Sequence, residues 1–133
     1  MIALPPYALT LGIGLAQDGA QDGDADDAPL LHLPAADHLL GRPGFLHGGA
    51  IAGLLEIAGF VAARHALGDA PVAVKPIGMT VDYLRGGRET ETFARGRVVR
   101  NGARIAAVEV HAWQDDPTSP IATARMNLSL KRA

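Results

Sequence analysis

The residues best suited to chemistry lie in one run: His47-Gly48-Gly49 and, eight residues after Gly48, Glu56. The glycines stand where an apolar helical segment begins. The first N–H groups of a helix have no acceptor within it, and they point outward with the positive end of the dipole. Glycine there lets a ligand carbonyl approach the backbone closely, which is the geometry of an oxyanion hole. The plainer alternative is a tight turn into the helix. Glu56 is the only acidic residue of the segment, between Leu54, Leu55, Ile57 and Ala58. A buried, unpaired carboxylate is costly and tends to keep its proton more tightly. Its same-face neighbours are Ala52, Gly53, Gly59 and Phe60, three of them small. That predicts space for a substrate or a close partner backbone; the alternative is a glutamate at a solvent gap.

Spacing constrains how the two features could cooperate. Eight residues of helix span about 12 Å at ~1.5 Å per residue. Attack and oxyanion contacts each need approach to about 3 Å, so one reacting carbonyl cannot touch both. Either one feature alone is catalytic, or a complete site joins Gly48 of one subunit to Glu56 of another. Two such helices paired antiparallel across a two-fold axis would give two equal sites per dimer.

The elements that must position these residues can be read along the chain. Tyr7 to Ala16 alternates and predicts a strand. Residues 17–28, rich in Asp, predict a flexible acidic loop. Leu30 to Leu33 is a second short strand, followed by a turn-rich stretch from Pro34 to Pro43. Residues 48–67 predict one long helix, apolar on nearly all sides and hence enclosed, with Gly68 as its stop. The rest is β: a strand broken around Pro76, running from Val72 to Leu84; two long runs joined at Asn101-Gly102; and a last strand with Ala122, Ala124, Met126, Leu128 and Leu130 on one face. One helix must cover one face of an antiparallel sheet, which predicts an α+β domain with a curved sheet around a central helix. No repeat or linker divides residues 1–133, so one domain is expected.

Composition narrows the function classes. The chain has 133 residues, 48% of them hydrophobic, with few aromatics and 16 glycines, so the core must be built from small and branched side chains. The net charge of −2 gives no reason to invoke nucleic acid. Without cysteine there is no disulfide, thiolate metal site or cysteine nucleophile. His32, His38, His65 and His111 lack metal-ligand spacing, and no metal is expected. Met1 to Tyr7 does not read as a signal peptide, and the apolar stretch from Ala50 to Leu67 reads as a buried helix rather than a membrane span. A soluble cytoplasmic protein is expected.

The run from Phe45 to Glu56, with His-Gly-Gly and an acidic residue nine positions after the histidine, resembles the signature of hotdog-fold acyl-CoA thioesterases of the PaaI-like, 4-hydroxybenzoyl-CoA thioesterase branch. Thr80 to Arg85, Val98 to Gly102 and Ile121 to Ala124 resemble later strands and turns of that family, and the likeness runs from about Leu30 onward. The resemblance implies a hotdog fold and hydrolysis of a small or medium acyl-CoA, aromatic or aliphatic, to a free acid and CoA. It implies that Gly48 N–H polarises the thioester carbonyl and that Glu56 of the other subunit is nucleophile or general base. His47 would position the thioester or hold the helix start. It further implies a homodimer or a homotetramer, no cofactor beyond the CoA of the substrate, and CoA contacts from Gly49, Tyr83, Leu84, Arg85, Gly86, Gly87, Arg88, Arg100, Asn101, Gly102 and Arg104. A non-catalytic acyl-CoA-binding hotdog protein is the alternative. The sequence departs from the family at Gly41, where some members carry Asn or Gln, and at Pro76, where members often carry Ser or Thr. It also departs at Gly86-Gly87, where a proline is usual. The usual N-terminal helix is expected to be missing or reduced to Met1 to Pro6.

Overall fold

The computed structural model describes residues 3–16 and 27–132. The chain begins with a short helix, α1 (Pro6–Leu11), followed by the strands β1 (Gly14–Leu15) and β2 (Leu31–Leu33). A single 3₁₀ turn (Asp37–Leu39) leads to a small hairpin, β3 (Leu40–Arg42) and β4 (Phe45–Leu46). The long helix α2 (Gly48–Leu67) comes next, and then four strands: β5 (Val72–Tyr83), β6 (Thr92–Asn101), β7 (Ile105–Trp113) and β8 (Ala122–Arg132). All pairings in the main sheet are antiparallel, in the order β1-β2-β6-β7-β8-β5. This is the hotdog architecture: one long helix held against a curved antiparallel sheet.

The helix is seated through small residues. A Cβ built on Gly59 would stand 2.1 Å from Met126 Sδ, and one on Gly96 of β6 would stand 2.7 Å from Ala62 Cβ. Helix and sheet therefore approach more closely than larger residues would allow. Leu54, Leu55 and Val61 of α2 are fully buried with Val108, Val110, Ala122, Ala124, Met126 and Leu128 of β7 and β8. The apolar alternation of β8 places each of its expected inward residues in the core. By length and hydropathy α2 could cross a membrane, but much of it is buried in this packing.

Two expectations are corrected. Pro6 to Leu11 is helical rather than part of a strand, so an N-terminal helix is present beyond Pro6. Pro5 and Pro6 supply the fixed φ that suits a helix start, and Gly12 ends it in the left-handed region at φ 81°. The strand through Pro76 is not broken. β5 runs continuously for twelve residues, with a bulge at Ile77 between Pro76 and Gly78. It tolerates proline because it is an edge strand, where a missing N–H at a bulge costs little. Most of the acidic stretch from 17 to 28 lies outside the described residues. Its end at Asp27 and Ala28 is tied down by Arg95, whose Nε donates to the Ala28 carbonyl at 2.9 Å.

Candidate active site

The start of α2 rests on two loops. His47 N–H donates to the Leu39 carbonyl at 2.8 Å, and Leu46 N–H to the Gly87 carbonyl at 2.9 Å. Backbone at His47 is extended (φ −66°, ψ 139°), as a residue before a helix must be. Its imidazole caps the helix: Gly49 N–H donates to His47 Nδ1 at 2.8 Å. In this arrangement Nδ1 is the acceptor and Nε2 faces away from the helix start's bond. Ala50 N–H turns back to the His47 carbonyl at 3.0 Å. Of the four donors at the helix start, those of His47, Gly49 and Ala50 are satisfied. Of these four, Gly48 N–H is the one with no acceptor among the described residues. The family resemblance singles out Gly48 over Gly49; the cap supplies a physical difference between them.

The glycines here also sit close to neighbouring side chains. A Cβ on Gly49 would stand 3.0 Å from His47 Nδ1, and one on Gly48 would stand 3.3 Å from the Tyr83 ring and hydroxyl. The Tyr83 hydroxyl donates to the Gly48 carbonyl at 2.8 Å. Gly41 lies against His47, where a Cβ would stand 3.1 Å from His47 Cα. A longer side chain at Gly41 could not be added without moving the cap.

Glu56 is exposed, so its expected burial within the chain is corrected. It lies on the side of α2 that turns away from the sheet, in line with Gly49, Ala52, Gly53 and Phe60, all exposed or half-buried. The small neighbours do not leave open space as expected. A Cβ at Gly53 would meet Leu11 and Tyr7 of α1 at 2.7 and 3.3 Å, while Gly59 is filled by Met126. These glycines seat the helix, and the open ground beside Glu56 is the uncovered helix face itself.

The residues expected near CoA fall into two groups. Tyr83, Leu84, Arg85, Gly86 and Arg88 are exposed at the end of the sheet where β5 finishes. There Leu84 and Arg85 N–H both donate to the Ile121 carbonyl, and Gln114 holds the Arg88 backbone through both amide atoms. A shallow polar cavity lined by Phe45, Arg85, Arg88, Asp115 and Ser119 opens beside them. Gly87 is buried, with Ile121, Ile51 and Leu46 around the space a Cβ would fill. Arg100, Asn101, Gly102 and Arg104 belong to the β6–β7 hairpin at the opposite end of the sheet. Along β7 the two ends are seven residues apart, about 24 Å at ~3.4 Å per residue. One chain cannot bring both groups to the same phosphate. Among the described residues no three His, Asp or Glu side chains gather as a metal site.

A sequence model described as the thioesterase superfamily matches residues 43–121, a span that includes His47, Gly48, Glu56 and Tyr83. The chain belongs to the thioesterase superfamily. Solved structures agree on the fold. AziG of S. sahachiroi superposes with a TM-score of 0.82 at 22% identity, covering 98% of this chain and 100% of that one. A thioesterase family protein of Silicibacter pomeroyi gives 0.81 at 24%, covering 97% and 91%. A putative thioesterase of Ralstonia eutropha, described as phenylacetic acid degradation-related, gives 0.79 at 21%, covering 96% and 92%. No functionally curated protein matches the sequence. In this superfamily member, sequence reasoning placed Tyr83 only near CoA and missed its bond to the helix start. No spacing rule links residues 35 positions apart; a tyrosine closing an edge strand just before the glycine turn was the one available signal.

Proposed function

We propose that this protein is an acyl-CoA thioesterase of the PaaI-like branch, working as a cytoplasmic homodimer or a dimer of dimers. Gly48 N–H would receive the developing oxyanion of the thioester, and Glu56 of the partner subunit would attack the carbonyl carbon or draw a proton from water. The CoA thiolate then leaves, and no cofactor is needed beyond the CoA of the substrate. One observation carries this reading: the cap leaves a single N–H unsatisfied at the helix start, and it is the one a family signature would use. The exposed position of Glu56 supports a shared site, because a carboxylate on an uncovered helix face is available to a second chain.

Two surfaces support self-association. Among the described residues β5 is bonded only to β8, so its other edge is unpaired over twelve residues, with Ile77, Tyr83 and Leu84 about half exposed along it and just beyond its end. Antiparallel pairing of two β5 strands about a two-fold axis would bring the Tyr83 end of one chain beside the Val72 end of the other. The Arg100–Arg104 hairpin lies at that second end, so the separated arginine groups would meet across subunits and could share one CoA.

Release of free thiol from a panel of acyl-CoAs, aromatic and aliphatic, tests the reading. Glu56→Gln is expected to abolish turnover and keep both fold and CoA binding. Undiminished turnover in Glu56→Gln would remove Glu56 from the mechanism. Wild-type binding without turnover on any substrate would leave the non-catalytic acyl-CoA-binding alternative. Mixing Glu56→Gln with Gly48→Pro subunits should restore activity, since one of the two sites in a mixed dimer would be intact. No recovery in demonstrated heterodimers would count against a shared site.

A further inference from the structure

The peptide unit between Gly48 and Gly49 is held at both ends. Its carbonyl accepts from the Tyr83 hydroxyl at 2.8 Å, and its N–H donates to His47 Nδ1 at 2.8 Å. The phenol ring lies flat enough against Gly48 that a Cβ there would touch it at 3.3 Å. Tyr83 is the last residue of β5, so this bond ties the helix start to the edge of the sheet. The tie matters because of what it holds. Two successive glycines are the most freely rotating pair a chain can offer. Turning their shared peptide would swing the Gly49 N–H off the imidazole and loosen the Gly48 Cα, through which the Gly48 N–H is placed. The helix's own i+4 bond also reaches the Gly48 carbonyl, and the phenol adds a second donor to it from outside the helix.

Tyr83 is 54% exposed, and burial of the ring is a weak reason for its placement. From this geometry we infer that Tyr83 is a positioning residue of the oxyanion site: its hydroxyl fixes the Gly48–Gly49 peptide, which keeps Gly48 N–H aimed at the substrate carbonyl. It does not touch the reacting atoms. The inference rests on Gly48 being the oxyanion donor and adds the group that orients it. Pre-organised donors act because they need no rearrangement as charge develops. Loss of the tie should therefore appear in the chemical step and not in binding.

Tyr83→Phe removes the hydroxyl and keeps the ring over Gly48. Acyl-CoA hydrolysis by this variant is expected to show kcat reduced roughly tenfold, the size of one hydrogen bond in a rate, with KM within about twofold and an unchanged melting temperature. Amide hydrogen exchange of Gly49 should accelerate by a similar factor while the rest of α2 keeps its protection. A rise in KM at constant kcat, or a kcat loss that follows a fall in melting temperature, would overturn the positioning role. Gly48→Pro in the same assay separates the two ideas. If Gly48→Pro is inactive and Tyr83→Phe keeps full turnover, only the role of Tyr83 fails. If Gly48→Pro keeps full turnover, the oxyanion reading fails and takes this inference with it. Exchange needs no substrate: an unchanged Gly49 rate in Tyr83→Phe would overturn the tie whatever the activity.

Discussion

The two ends of α2 are finished in opposite ways. At its last turn Arg64 reaches over the terminus and donates to the carbonyls of Gly68, Ala70 and Val72, so the turn into β5 is closed by one guanidinium. Arg64 and His65 also bring basic side chains to the negative end of the dipole. At the first turn the cap stops one donor short. His47, Leu39 and the His47 carbonyl satisfy three N–H groups, and Gly48 N–H stays open. One end of the helix is closed by a charged side chain; the other leaves one donor open. The loops beneath them differ too. Near the open end, Asp37 of the 3₁₀ turn meets Glu89, whose N–H holds the Gly44 carbonyl. Glu89 is held above the ordinary carboxylate range by its hydrogen bond to the Asp37 carboxyl, a little desolvation, and the neighbouring charge. The working end thus rests on a pair of like groups, and the closed end on an arginine among carbonyls.

Breaking the open end should cost activity first. Gly48→Pro removes the one open N–H at a position where proline is well tolerated. His47 already has the extended backbone a following proline requires. Its kcat is expected to fall about 10²–10³-fold, as for loss of one oxyanion donor. The melting temperature should change little; an equal loss of both would mean the residue serves the fold. Breaking the closed end should do the reverse. Arg64→Ala leaves three carbonyls without their charged donor and should lower stability by about 2 kcal/mol. That is roughly 8 °C in a melting curve, with kcat per folded molecule unchanged. A large kcat loss in Arg64→Ala would erase the contrast between the ends.

The cap offers a finer cut. His47→Ala should lose about 1 kcal/mol of helix-start stability, while His47→Asn, a good N-cap, should regain most of it. Denaturant midpoints for the two variants check this, and equal midpoints would mean the imidazole does not cap in solution. Glu89→Gln should show the smallest effect. A carboxyl whose folded pKa is raised binds its proton more tightly in the folded state, so stability falls as pH rises from the ordinary glutamate range through the raised one. The glutamine variant should therefore melt slightly higher than wild type at neutral pH and the same in acid. A gain of equal size at both pH values would rule out carboxyl repulsion as its cause.

The sequence carried the large elements because their signals are periodic or chemical. The uninterrupted apolar run after His-Gly-Gly, the Asn-Gly hairpin and the strict alternation from Ala122 to Leu130 all appear in the structure where the pattern put them. α1 was missed because six residues are too few to show a helical period, and its proline start read as a breaker. β5 was read as broken because edge position, which excuses Pro76, is a property of the sheet and not of the strand. At the site, pattern singled out His47, Gly48 and Glu56 but could not show why the Gly48 N–H and not that of Gly49 is left open, since that depends on where an imidazole turns. It also took Glu56 for a buried group because its neighbours in sequence are apolar, although the side chain itself is exposed.

The place of β5 in the sheet has one more consequence, for the order in which the molecule forms. β6, β7 and β8 join by neighbouring hairpins, while β5 must find partners from 39 residues away (Tyr83 to Ala122) to 60 residues away (Val72 to Arg132). Such distant closure is slow next to hairpin formation. β5 should therefore gain protection after the β6–β7–β8 hairpins in pulsed hydrogen exchange during refolding. Tyr83 stands at its end, so the helix would form and be covered before the peptide at its start is fixed, and a chain almost fully folded would still have no competent site.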